Sequence, residues 1–243
     1  MCSPILELKT AIASAPFRIA PEREYELADW CNNEQISMDL VYAPGFIFQV
    51  YTTKRIIQIS IATLEYLWAT AHTHLVLCDE YYKAQDVNIK AQRNDWEPFD
   101  TGANTRSKDA LDLSLWAMAN ILGSGVETWP HVLPKPKSEP ENGSGIHKAN
   151  ELFLCAFAWI MHHELAHIRL GHNSLFTMRS MEEEIEADVV ATRWILEKCT
   201  DRRQAQKRTY GIVAAILSLI ALSTPAKQNV FQTHPQAFER IDN

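Results

Sequence analysis

The chain has no apolar run long enough to cross a bilayer. Its most apolar stretches, Leu152–Met161 and Gly211–Leu222, fall short of the roughly 18–20 residues a membrane-spanning helix needs. Buried core helices account for both better than membrane spans do. Met1–Ala20 contains charges and no continuous apolar core, so no secretory leader is expected there. A basic block is also missing. Acidic and basic residues are mixed along a chain of net charge −7, which argues against a nucleic-acid partner. There are no CxxC pairs and no disulfide rhythm. Cys2, Cys31, Cys78, Cys155 and Cys199 are odd in number and widely spaced, a pattern that suits a reducing compartment. These absences lead us to expect a cytoplasmic protein with no membrane span. At 243 residues and 47% hydrophobic, it can bury a good core as one domain spanning 1–243.

What the chain does have is His163-Glu164-Leu165-Ala166-His167, at the end of a long apolar helical run. Positions four apart share one helix face, so His163 and His167 can aim two imidazoles at one ion. Glu164 flanks the first histidine, where a carboxylate can serve as the general base for an attacking water. A chance match to this pattern in a chain of this size is on the order of one percent. Ala149–Met161 upstream is apolar on nearly every face and should be buried. Buried ionisable groups must be paired, neutralised or metal-bound, so a break from that run to His162-His163-Glu164 favours a site over a solvated face.

Downstream, Ser180-Met181-Glu182-Glu183 has capping-box spacing, and a second helix is expected to start at Ser180. Glu184 and Asp188 share a face of it. A zinc hydrolase needs three protein ligands and an open position, and Glu184 can be the third. Asp188 can accept the outer N–H of a ligand histidine and fix its tautomer. Solvation and the helix dipole explain Glu182 and Glu183, but not carboxylates facing inward beside Ala187 and Ala191. His172, five beyond His167, has the wrong spacing for a third ligand of the metzincin kind. Gly171 and His172 read instead as a helix end. Near the C-terminus, His234 precedes a proline and so sits in extended backbone that can project it across a cleft. It could polarise a developing oxyanion, and Arg240 could brace the glutamate-bearing helix. A structural His-Pro turn accounts for His234 equally well.

HExxH followed by ExxAD and HPxxxxRI resembles the gluzincins, thermolysin-like zinc peptidases whose third ligand is a helical glutamate. More narrowly, the chain resembles the Lit-type phage-exclusion peptidases along almost its entire length. The matching stretches include Ser3–Glu24, Ala62–Ala69 (ATLEYLWA), Glu127–Pro130 (ETWP), Phe153–His167, Glu183–Leu196 and Thr233–Ile241. Several of these have no catalytic reason to agree. The resemblance implies an abortive-infection protease that stays dormant until a phage capsid-protein peptide appears, then cleaves translation elongation factor Tu. It also implies one Zn2+ per chain, held by His163, His167 and Glu184, with Glu164 as catalytic base. Lit-type chains continue past their HPxxxxRI segment, whereas this one ends at Asn243.

The expected fold is α+β and mostly α: a single gluzincin-like domain with a small antiparallel sheet packed on the HExxH helix. Helices are expected at Ile5–Ala13 and Glu22–Cys31. A three-stranded meander over Ile36–Tyr42, Phe46–Tyr51 and Ile56–Ile61 completes the part before about residue 61. An edge strand there can bind extended peptide through main-chain hydrogen bonds. The helical catalytic part from about 62 to 243 begins with helices at Ala62–Val87 and Lys108–Leu122. His72 and His74, two apart, cannot share a face and read as ordinary helix residues. Polar loops are expected at Arg93–Ser107 and at Trp129–Lys148. The second is a mobile surface connector or a flap over the site. Two other functions compete. One is a gluzincin that cleaves a repressor or antitoxin, for which ExxAN would be usual in place of ExxAD. The other is a non-catalytic module pinned by zinc, which would normally close its fourth position with cysteine or histidine.

Overall fold

Ser3 starts the first element by accepting the Ile5 amide on its hydroxyl, in a computed structural model that describes residues 3–90, 104–123, 128–172 and 180–222. A 3₁₀ turn over Pro4–Leu8 runs into α1 (Lys9–Arg18), and a second over Pro21–Arg23 runs into α2 (Glu24–Glu34). The chain leaves α2 through Gln35, which adopts the left-handed conformation.

Three strands follow close to their expected places: β1 (Ser37–Val41), β2 (Phe48–Tyr51) and β3 (Ile56–Ser60). They do not form the antiparallel meander that was expected. The order is β1-β3-β2, with β2 antiparallel and β1 parallel to β3, so the sheet is mixed. The reason lies in burial. β3 is the most apolar strand and is covered along most of its length, the signature of a central strand, whereas β1 alternates exposed and half-buried residues as an edge strand does. The sheet meets the HExxH helix through β2, where Phe48 packs on Phe157 with ring centroids 5.8 Å apart.

Ser60 ends β3 and begins α3 (Ile61–Lys90). Its buried hydroxyl accepts the Thr63 amide and donates to the Gly45 carbonyl, where Gly45 makes a turn at φ +89°. The first half of α3 is buried on nearly all faces, and α4 (Thr105–Leu122) lies along it. Asn104 caps α4 by accepting the Ser107 amide, which starts this helix three residues earlier than the sequence suggests. His72 stacks on Trp68, and burial, helped by the Arg106 charge, pulls its imidazole down to about 4. It is an ordinary helix residue, as expected.

The connector before the next helix is fastened to this core. Trp129 packs edge-on to Trp68 and against Trp116, and its indole N–H donates to the Pro134 carbonyl. Further along, Asn150 donates to the Lys137 carbonyl while accepting from the Trp68 indole. Ser144 then caps α5 (Gly145–Leu170), which packs against α1, α3, α6 (Met181–Leu196) and α7 (Arg202–Leu222). Burying Phe153 and Phe157 completely contributes about 1.5–3 kcal/mol each. Among the described residues the chain is therefore mostly helical with one small sheet. No helix among the described residues is long and apolar enough to cross a membrane.

Candidate metal centre

The last turns of α5 carry polar groups into the middle of this packing. His162, His163, Glu164 and His167 are each at most 4% exposed. His162 faces away from the others: its Nε2 meets the Pro16 carbonyl, its ring stacks on Trp194, and burial pulls it down to about 4. It is a core histidine that ties α5 to α1.

His163 and His167, one turn apart, point their Nε2 atoms at each other across 3.0 Å. The third member comes from α6. Ser180 accepts the Glu183 amide and its own amide donates to the Glu183 carboxylate, so the expected capping box forms and fixes where the helix starts. One residue on, Glu184 is fully buried. Its carboxylate oxygens lie 3.3 Å from His163 Nε2 and 3.4 Å from His167 Nε2. One donor atom from each of the three residues fits within 4.8 Å of the others.

This donor set could hold a metal ion. Two imidazole nitrogens facing each other in a dry core need a proton or a cation between them, and a buried carboxylate supplies the balancing charge. Glu164 is 2% exposed and adjoins the first histidine.

The outer nitrogens are held as well. His163 Nδ1 is 2.8 Å from Asp188 Oδ1, one turn beyond Glu184. Burial alone would lower the His163 pKa. The hydrogen bonds to Asp188 and Glu184, and the charges of both, raise it instead to about 9. The Trp159 ring lies beside that of His163, and its indole donates to Thr192 on α6. His167 Nδ1 is 2.8 Å from His172 Nδ1, and His172 Nε2 is 3.3 Å from Glu186 Oε2. His172 was read from the sequence only as a rejected ligand and a helix end. Its contact with His167 was missed, although a histidine just past a helix-ending glycine was the available signal.

A cation–π ladder steadies α6 against α5. The Arg23 guanidinium lies 3.6 Å over the Trp194 ring and that of Arg169 4.5 Å from it, with Arg169 also 4.4 Å from Trp30. His234 and Arg240 lie outside the described residues.

A mostly helical protein with two imidazoles and a carboxylate converging in its core has a centre compatible with a metallopeptidase. The chain belongs to the Peptidase U49 family, which it matches over residues 57–243. It is also similar to the "Cell death peptidase" of Escherichia coli (strain K12), 37% identical over 246 residues that take in 99% of this chain and 80% of that protein. No solved structure matches the chain.

Proposed function

We propose that the chain is a zinc-dependent endopeptidase of the gluzincin type acting in phage defence. The observation that carries the chemistry is the convergence of His163, His167 and Glu184, buried and from two helices, beside Glu164. Those three residues would hold the ion, which when bound polarises a water and the scissile carbonyl. Glu164 takes the proton of the attacking water on a carboxylate oxygen and delivers it to the leaving amine nitrogen. Asp188 accepts the Nδ1–H of His163, leaving the Nε2 lone pair directed at the centre. His234 is assigned to the developing oxyanion and Arg240 to bracing α6, both on the sequence pattern alone.

The target reading rests on the Lit-type resemblance, and the name of the similar Escherichia coli protein agrees with a lethal activity. The substrate is translation elongation factor Tu, and a phage capsid-protein peptide is the activator. A protease of so abundant a factor must be silent in healthy cells. The proposed gate is joint recognition: the peptide binds the elongation factor, and their combined surface presents an extended segment to a sheet edge.

Purified protein should carry about one zinc per chain. Glu184→Ala should lose most of it while keeping its helical content; unchanged zinc would remove Glu184 from the centre. Glu164→Gln should keep zinc but lose several orders of magnitude in turnover. Mixed with elongation factor Tu, the wild-type protein should cut it into two fragments only when the capsid peptide is added. If the factor survives at every peptide concentration while another cytosolic protein is cut, the protease reading stands and the target is wrong.

A further inference from the structure

The end of α5 is built to bring a histidine back onto a candidate ligand. Gly171 takes the left-handed conformation at φ +71°. The Gly171 amide then bonds to the Ile168 carbonyl at 3.2 Å, and the His172 amide to the His167 carbonyl at 3.0 Å. This pair of bonds is a Schellman motif, in which the second residue past the helix folds over its last turn. Here that residue is His172, only 8% exposed, and its ring is brought against the ring of His167.

The hydrogen-bond direction follows from the acceptor at the far end. A carboxylate oxygen accepts, so the His172 nitrogen beside Glu186, Nε2, carries the hydrogen. With its ring hydrogen on Nε2, His172 has its lone pair on Nδ1. That lone pair faces His167 Nδ1 at 2.8 Å, which must therefore be the donor. With its hydrogen on Nδ1, His167 presents a lone pair at Nε2, the atom facing His163 and Glu184. The opposite arrangement would put a hydrogen at the centre and remove His167 as a ligand.

We propose that His172, set by Glu186, is a positioning residue that holds His167 in the tautomer able to bind the metal. The two imidazoles are thus served differently: His163 by the carboxylate of Asp188 directly, His167 by an imidazole relaying a carboxylate. The inference rests on the metal-centre reading above.

The test measures zinc affinity by competition with a chromogenic chelator, using purified full-length protein. His172→Leu fills the space without an acceptor and should bind zinc about 10–100-fold more weakly. His172→Asn offers its amide oxygen near the position of Nδ1 and should stay within a few-fold of wild type. If His172→Leu binds as tightly as wild type, the positioning role is wrong. If both variants weaken equally, an acceptor at this position does not restore affinity, and the role is likewise wrong. Should His172→Leu fail to fold, nitrogen-15 NMR of the zinc-loaded wild-type protein decides. His167 must be protonated at Nδ1 and His172 at Nε2, and the reverse assignment overturns the inference. A wild-type protein that takes up no zinc would instead bring down the metal-centre reading itself.

Discussion

Gly211→Ala adds one methyl group where α7 crosses α5 with no room for it. A Cβ at Gly211 would lie 2.4 Å from Cys155 Cβ, 2.9 Å from the Cys155 carbonyl carbon and 3.2 Å from the Ala156 nitrogen. Carbon atoms rest about 3.5–4.0 Å apart, so the helices would have to separate by about an ångström. None of the three atoms is the end of a side chain that can swing away. Two effects then oppose each other. Replacing glycine inside a helix gains about 1 kcal/mol from backbone propensity. Overpacking costs about 1–3 kcal/mol, and contacts this rigid belong at the upper end. The net loss is about 1–2 kcal/mol, which in a chain of this size lowers Tm by about 2–8 °C. Thermal unfolding followed by far-ultraviolet circular dichroism, with chelator present to remove any ion, measures it. Gly145→Ala is the control, since its nearest neighbour would be an arginine side-chain nitrogen at 3.8 Å, an ordinary contact. A Gly211→Ala protein that melts at or above wild type would refute the argument.

Two further predictions concern buried ionisable groups. His163, held at about 9 in the metal-free protein, is protonated at pH 7 and must be neutral to bind an ion. Zinc binding at pH 7 should therefore release about one proton, and apparent affinity should rise about tenfold per pH unit up to about pH 9; calorimetry showing the same heat in buffers of different ionisation enthalpy would contradict this. The same shift adds stability to the metal-free fold that is complete below the ordinary histidine value and is lost as pH rises through about 9. On α3, burial raises the pKa of Glu65, whose carboxyl accepts from Ser3 at 2.6 Å and from Asn120 at 3.0 Å. Its stabilising effect is therefore complete below the ordinary glutamate value and is lost as pH rises through the raised one. Glu65→Gln should flatten that dependence in denaturation curves, and Glu65→Ala should cost about 1–3 kcal/mol by taking a buried acceptor from Asn120. Equal stability of the alanine variant at every pH would show that the cluster contributes nothing.

What could be read in the sequence was local chemistry. The HExxH spacing, the Ser180 capping box and the break at Gly171 each occupy a few adjacent residues, and each takes its expected form. The strands were visible for the same reason. Their order was not, because pairing depends on which strand is covered on both faces, and periodicity within one strand does not report that. His172 was missed because its role depends on the fold-back at Gly171. Stretches whose agreement with Lit-type peptidases had no catalytic reason turn out to be packing. Glu65 and Trp68 lie in Ala62–Ala69, Trp129 lies in Glu127–Pro130, and Trp129 packs on Trp68.

The central position of β3 also bears on where this protein can be cut. The match to the Peptidase U49 family begins at Ile57, inside β3, but both strands that pair with β3 come from earlier residues. A fragment trimmed to that boundary would keep a strand with two unpaired edges. It would also lose Pro16, which meets His162, and Arg23, which covers Trp194. The span of the family match and the limits of a self-sufficient folding unit therefore differ, and expression should start from the N-terminal residues, which the similar Escherichia coli protein also shares.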